Sequence, residues 1–238
     1  LALLLVTMVW GTTFPAMKLL SGQLDAVQII SLRFVIALLV LGPLWRGMRR
    51  DERRWGALLG ALLFLAFWLQ IEGLARTSSN RNAFVTGLNV LVVPLLAMLV
   101  LGRRYGWRLW AACAMALGGM VLMFHEDEPW NLGDTLTLAS TLFYAIYILA
   151  LERCAERTQA APLRATRMAA VQASVMCAAA TALLLLRPGG MDWTAQLATL
   201  SAPAWTALIY LGVLAGVLVV TLQAWGQQRV DAMRSAII

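Results

Sequence analysis

The sequence predicts an all-α, polytopic membrane helix bundle built from two inverted repeats. Three observations carry that prediction. The composition is too apolar for a water-soluble domain. The apolar residues gather in stretches of bilayer length. One polar-containing segment returns 153 residues later, on a stretch that crosses in the opposite direction. Of 238 residues, 61% are hydrophobic and 13% charged, against about 25% charged in ordinary globular chains. That leaves too little polar surface to coat a soluble core and too much apolar surface for a disordered chain.

A helix needs about 20 mostly apolar residues to cross the hydrocarbon of a bilayer. Eight stretches qualify, at 1–20, 26–45, 55–75, 82–101, 109–124, 133–151, 166–186 and 204–224, and a ninth begins near Asp231. Alternation of period two over about ten residues, the mark of a membrane β-barrel, is absent. Trp45, Trp55, Trp107, Trp110 and Trp205 lie near the ends of these stretches, where indole rings anchor at the membrane interface.

The net charge is +7. A basic balance can signal nucleic acid, but here the cations sort by loop. The even-numbered connections hold Arg46, Arg49, Arg50, Arg53 and Arg54, then Arg103, Arg104 and Arg108, then Arg153, Arg157, Arg164 and Arg167, then Arg229 and Arg234. The odd-numbered ones hold Arg76, Arg81 and Arg187, with Lys18 at the end of the first span, and the fifth is acidic at Glu126, Asp127 and Glu128. Positively charged loops stay in the cytoplasm. The expectation is a multi-pass protein of the inner or plasma membrane, with its amino terminus and even loops cytoplasmic and no nucleic-acid partner.

The third span ends LQIEGLARTSSNRNAFV and the eighth ends LQAWGQQRVDAMRSAII. Six positions match without gaps: Leu69/Leu222, Gln70/Gln223, Gly73/Gly226, Arg76/Arg229, Arg81/Arg234 and Ala83/Ala236. Trp55 and Trp205 open the two helices alike but at an offset of 150, so a turn has slipped between the two copies. Gly56/Gly60 and Gly212/Gly216 each give a small-residue face that lets helices approach closely. Those faces suit packing within one chain or between two copies in a homodimer. Spans three and eight are five apart, and an odd separation reverses the crossing. The two copies are therefore upside down to each other, as in many secondary transporters whose substrate site lies between the repeats. The repeats are placed at 1–124 and 133–238. By the same alignment the second half needs roughly 39 further residues to complete ten helices, so the sequence is expected to be part of a longer protein.

Three segments resemble one family. They are WGTTFPAMKLL from Trp10, ARTSSNRNAFVTGLNVLVVPLLA from Ala75 and GDTLTLASTLFYAIY from Gly133. All three are similar to the EamA-type transporters of the drug/metabolite transporter superfamily. The resemblance implies ten helices in two inverted five-helix repeats, both termini cytoplasmic, a central cavity and alternating access. It also implies export or exchange of metabolites such as amino acids or sugars.

Ionisable groups inside a bilayer are costly, so each is a candidate for function. Lys18 follows Pro15 by one turn and could bind a carboxylate or phosphate, or reach to the outer surface. Arg33 lies about 10 Å into the second span at the helical rise, as a structural partner of Glu72 or a cavity residue. Glu72 and Arg76 are spaced for a helical ion pair, with proton coupling at Glu72 the alternative to a surface pair. Asn89 lies mid-span and must find a partner in a helix or a substrate. Pro15 and Pro94 are expected to bend or break their helices and gate the site. Trp10, Phe14, Tyr144 and Tyr147, with Phe143, could wall the cavity. Gln70 and Gln223 share a repeat position, which suggests a structural duty before a substrate contact. Cys113, Cys154 and Cys177 show no metal spacing and no disulfide framework. The one histidine, His125, falls in a loop, and no phosphate-binding GxxxxGK[ST] loop is present. The expectation is thus a secondary transporter with a small-molecule substrate in a lipid bilayer, without cofactor or metal and not an enzyme. The alternative is a non-transporting membrane scaffold or a membrane-embedded enzyme.

Overall fold

The computed structural model describes residues 2–123, 129–158, 163–186 and 197–227, and these are helical throughout their ordered elements. The expected ninth helix from Asp231, Arg187, Arg229, Arg234 and the acidic stretch with His125 lie outside the described residues, as does the side chain of Gln223.

The first span is α1 (Ala2–Ser21) and the second α2 (Ala26–Leu41), extended by a 3-10 turn, Gly42–Trp45. The third is α3 (Arg50–Arg76). The fourth is two pieces, α4 (Ser79–Gly87) and α5 (Asn89–Leu101), and the fifth is α6 (Trp107–Met123). The sixth and seventh are α7 (Leu132–Arg157) and α8 (Ala165–Leu186). The eighth opens as α9 (Ala202–Tyr210), widens into a π-helix at Leu211–Val219 and closes as α10 (Val220–Gln227). Six of these columns are long and apolar enough to cross a membrane by length and composition; α6 is a shorter apolar helix. The π-helix, with more residues per turn than an α-helix, falls inside the stretch where the repeat register slips.

Capping explains where several helices start. Asp25 accepts from the amides of Val27 and Gln28, at 2.8 and 3.0 Å, while Gln28 returns a bond to the Asp25 amide. Ser78 accepts from the Arg81 amide and opens α4. Asn131 and Asp134 form a reciprocal box at the start of α7. Such boxes satisfy amide donors that a helix leaves free.

The bundle buries a set of polar side chains within an apolar core and turns many large apolar side chains outward. Asn82, Asp134, Thr137, Ser140, Thr141 and Gln172 are fully buried, whereas Leu39, Leu99, Leu122 and Leu186 are about four-fifths exposed. Exposed leucines belong against lipid chains, and buried hydroxyls and amides bond one another because no water is present to do so.

Small residues set the helix contacts. A Cβ on Gly56 would lie 2.6 Å from the Cβ of Val171, and one on Gly60 would lie 2.9 Å from the backbone of Gln172, both on α8. A Cβ on Gly212 would lie 2.7 Å from Ile36, and one on Gly216 would lie 3.2 Å from Ala37, both on α2. Both small-residue faces read from the sequence therefore pack within the chain. The tightest crossing is between α3 and α7. A Cβ on Gly73 would lie 2.6 Å from the Gly133 carbonyl oxygen, and a Cβ on Gly133 would lie 2.7 Å from the Gly73 carbonyl oxygen.

The loops separate by number. Arg167 donates to the Gly47 carbonyl at 2.7 Å and approaches Glu52 at 3.4 Å, joining the second and sixth connections. Arg103 pairs with Glu152 at 2.7 Å and Glu156 at 3.2 Å, joining the fourth and sixth. At the other end Gln23 donates to Ser201 at 3.2 Å, joining the first and seventh.

Gly73→Ala should destabilise the bundle by about 2 kcal/mol through overpacking. Gly118→Ala, with nothing within 4 Å of its Cβ position, should leave stability unchanged or slightly raised. Thermal unfolding of the two purified variants in detergent separates these outcomes; equal melting temperatures would remove the α3–α7 glycine contact as a packing constraint.

Candidate functional site

A chamber of about 320 Å³ opens between α1, α3, α4, α5, α6 and α7. From α1 it is lined by Thr7, Trp10, Gly11, Thr13 and Phe14, and from α3 by Phe67 and Gln70. The fourth span adds Ala83, Thr86, Gly87, Asn89 and Val90 at the break between its two pieces. Ala116 and Met120 come from α6, and Tyr144 and Ile148 from α7. None of these lining residues is an acid, a base or a histidine.

An aromatic group forms one wall. Tyr144 stands edge-on to Trp10, with centroids 5.6 Å apart, and to Phe67, 5.7 Å apart. Edge-to-face placement suits the ring quadrupoles and holds the rings in fixed orientations. Gln70 fixes the wall from behind. It accepts from the Tyr144 hydroxyl at 3.3 Å and donates to Thr86 Oγ1 at 3.1 Å, and Thr86 donates to the Asn82 carbonyl at 2.7 Å. Asn89 faces the chamber, and its Oδ1 is buried with no hydrogen-bond partner among the described residues. A buried carbonyl oxygen without a partner beside a cavity can accept a hydrogen bond from a donor that reaches it.

The prolines do not stop their helices. α1 runs unbroken past Pro15, and α5 runs past Pro94. Pro94 has no amide hydrogen for the Val90 carbonyl four residues back. The buried Cys113 thiol of α6 donates to that carbonyl instead, at 3.3 Å. The interruption in the fourth span falls earlier, at Leu88, between Gly87 and Asn89.

Four of the expected cavity residues, Trp10, Phe14, Asn89 and Tyr144, meet in the chamber. Tyr147 does not. It is fully buried where α7 packs on α8, and its hydroxyl donates to Gln172 at 3.2 Å. Lys18 is also elsewhere. Its ammonium donates to the carbonyls of Leu74 and Thr77 at 2.7 and 2.6 Å. It caps the C-terminal end of α3, where free carbonyls and the helix dipole favour a cation. Glu72 and Arg76 form their ion pair at 2.6 Å on the surface of α3. Arg33 is not paired with Glu72; its Nε donates to the Leu211 carbonyl at 3.1 Å.

The sequence reading did not select Asp134. It is fully buried and accepts from Arg81 twice, Nε to Oδ1 at 3.0 Å and Nη2 to Oδ2 at 2.6 Å. Thr77 adds a bond at 3.1 Å, and the second oxygen also accepts from the Asn131 amide at 2.9 Å. Arg81 further donates to the Pro129 carbonyl at 3.2 Å. Next to it, Asn82 donates to Thr137 at 2.7 Å. This network clasps the fourth span to the sixth beside the chamber. Phe67 was missed as well, because a lone aromatic in an apolar run carries no signal of the face it occupies. Among the described residues no three His, Cys, Asp or Glu gather as a metal site would require.

An all-helical bundle with an apolar exterior and six helices long and apolar enough to cross a bilayer defines a polytopic membrane protein. A model of the EamA-like transporter family matches residues 1–125, and the chain belongs to that family. Over 148 residues it is 28% identical to an uncharacterized transporter of Archaeoglobus fulgidus, a match covering 62% of this chain and 47% of that protein. The chain thus spans about half the length of the curated relative it matches. A solved crystal structure aligns with TM-score 0.69 over 99% of this chain and 81% of the other, at 21% identity. That likeness is one of fold.

Replacing one partner of the clasp should be far worse than replacing both. Asp134→Asn leaves the Arg81 charge buried without its carboxylate and should cost about 3–5 kcal/mol. Arg81→Gln with Asp134→Asn should recover a large part of that loss. A double-mutant cycle on unfolding in detergent reads the coupling; additive losses would show that the two side chains do not depend on each other.

Proposed function

We propose that the protein is a secondary active transporter that exports or exchanges a small polar metabolite, such as an amino acid, across the inner or plasma membrane. The observation that carries this reading is the chamber: neutral, walled by Trp10, Phe14 and Tyr144, and holding a bare acceptor at Asn89. The solute would lie against the rings and donate to Asn89 Oδ1. Neither Lys18 nor Tyr147 touches it.

Alternating access between residues 1–124 and 133–238, as inverted repeats, completes the mechanism. Two features of the packing support it. First, exchange of the halves pairs spans one with six, two with seven and three with eight. The third span packs on the sixth and seventh, and the eighth packs on the first and second, as that exchange requires; the second and seventh pack on each other. Second, Gly56 and Gly60 contact the seventh span while Gly212 and Gly216 contact the second, which is one contact used twice. The break at Leu88 and the Val90 carbonyl spanned by Cys113 give the fourth span a place to flex beside the solute. The arginine-rich even loops and the amino terminus would lie in the cytoplasm.

The test is transport by the protein in proteoliposomes. Preloaded vesicles should take up at least one labelled member of an amino-acid panel by counterflow. Asn89→Ala should lower that flux at least ten-fold with unchanged reconstitution. A protein that binds but never exchanges any panel member would be a scaffold or receptor. Product formation without flux would make it an enzyme. Alkaline phosphatase fused after Trp130 should be active from outside the cytoplasm, and inactive when fused after Arg54; the reverse pattern would invert the orientation.

A further inference from the structure

Among the described residues, four cations on the membrane-spanning helices are buried or half-buried, and three are satisfied. Lys18 is held by two carbonyls, Arg81 by a carboxylate, and Arg167 by the Gly47 carbonyl and Glu52. Arg33 is the fourth. It is 1% exposed on α2. Its Nε reaches the Leu211 carbonyl, but Nη1 and Nη2 are buried with no hydrogen-bond partner among the described residues. Among the described residues no acid pairs with it. Two rings hold it instead, with the guanidinium carbon 4.6 Å from the centre of Phe67 and 5.3 Å from that of Phe34.

Ring faces attract a cation, but they do not replace hydrogen bonds or a counter-charge. An arginine stays protonated, so burial does not neutralise it. Its two outer nitrogens form a fork that matches the two oxygens of a carboxylate. Phe67 is the decisive neighbour. One face of the ring covers Arg33, and the same residue lines the chamber beside Tyr144. One aromatic side chain thus separates an unsatisfied cationic fork from a cavity whose own lining carries no charge.

We infer that Arg33 is the carboxylate-binding group of this chamber, screened by Phe67 in the present conformation and reached when that ring turns aside. This rests on the transporter reading and narrows its substrate to small organic acids. The carboxylate goes to Arg33, an apolar body lies against the rings, and a hydrogen-bond donor meets Asn89. A neutral chamber admits the solute without a strong fixed charge, and the buried fork selects the acid from neutral analogues of the same shape.

Benzoate and benzamide test this, because they match in size and differ in charge. Titrated into the purified protein and followed by tryptophan fluorescence, benzoate should bind at least ten-fold more tightly than benzamide. Arg33→Gln should abolish that preference while leaving benzamide binding intact. Arg33→Lys should retain part of it. Phe67→Ala, which removes the screen, should speed benzoate association several-fold, and this variant carries the test if Arg33→Gln does not fold. Equal binding of the two probes, no benzoate binding, an unchanged preference in folded Arg33→Gln, or an unchanged association rate in Phe67→Ala would each overturn the inference. Charge-selective binding without counterflow would instead keep the site and remove the transporter reading. Counterflow that Arg33→Gln leaves unaltered would keep the transporter and remove the site.

Discussion

Gly73 and Gly133 meet so closely that each occupies the space a Cβ of the other would need, and the rest of the interior is arranged around that contact. Helix association in a membrane gains little from the hydrophobic effect, because lipid tails are as apolar as leucine. It depends on close packing and on polar contacts between helices. With no side chain at either position, α3 and α7 approach until Thr77, just past the end of α3, can donate to Asp134 at 3.1 Å and the Tyr144 hydroxyl can reach Gln70 at 3.3 Å. The fourth span closes on α7 beside them, where Asn82 donates to Thr137 and Arg81 to both oxygens of Asp134. A wider crossing would break the two α3–α7 bonds together, and the chamber wall would lose its fixed orientation.

The same constraint explains how the interior holds charge. The end of α3 is a concentration of unpaired carbonyls, and Lys18 supplies the missing donors from α1. The start of α7 is a concentration of unpaired amides. Asp134 answers one of its neighbours through the capping box with Asn131 while neutralising Arg81. One carboxylate therefore caps a helix, pairs a cation and joins two spans. Burying such a group is tolerable because every lone pair direction is used. The oxygen of Asn89 and the fork of Arg33 are two of the places among the described residues where that rule lapses, and both lie at or behind the chamber wall.

The span pattern was legible because a bilayer imposes a length on any helix that crosses it. Each of the eight apolar stretches corresponds to a helical column, and the second, fourth and sixth connections gather at one end of the bundle. The partners of individual polar residues were not legible. Asp134 lies 53 residues from Arg81, and Leu74 lies 56 from Lys18; no period or spacing connects such pairs. Counting Arg81 as a loop cation hid its salt bridge. Lys18 reads from sequence as a free ammonium near a proline, because the carbonyls that hold it belong to another helix. Proline was likewise a poor guide to the break in the fourth span. A neighbouring thiol satisfies the carbonyl freed by Pro94, whereas Gly87, packed on Met120, ends α4.

The distribution of charge also says what kind of motion the site can support. A fixed ion at the chamber surface would hold a solute strongly in both conformations and slow its release. A ligand shifts an equilibrium only by its difference in affinity between the two states. A cation kept one ring away from the cavity supplies such a difference through a side-chain rotation. Phe67 stacks on Arg33 or turns away from it, and the Tyr144 edge that positions the ring is itself tied through Gln70 to the fourth span. The fourth span is the one interrupted at the chamber. Movement at Leu88 therefore reaches Arg33 through Thr86, Gln70, Tyr144 and Phe67 in sequence, so the strength of the anion site and the state of the broken helix are physically connected.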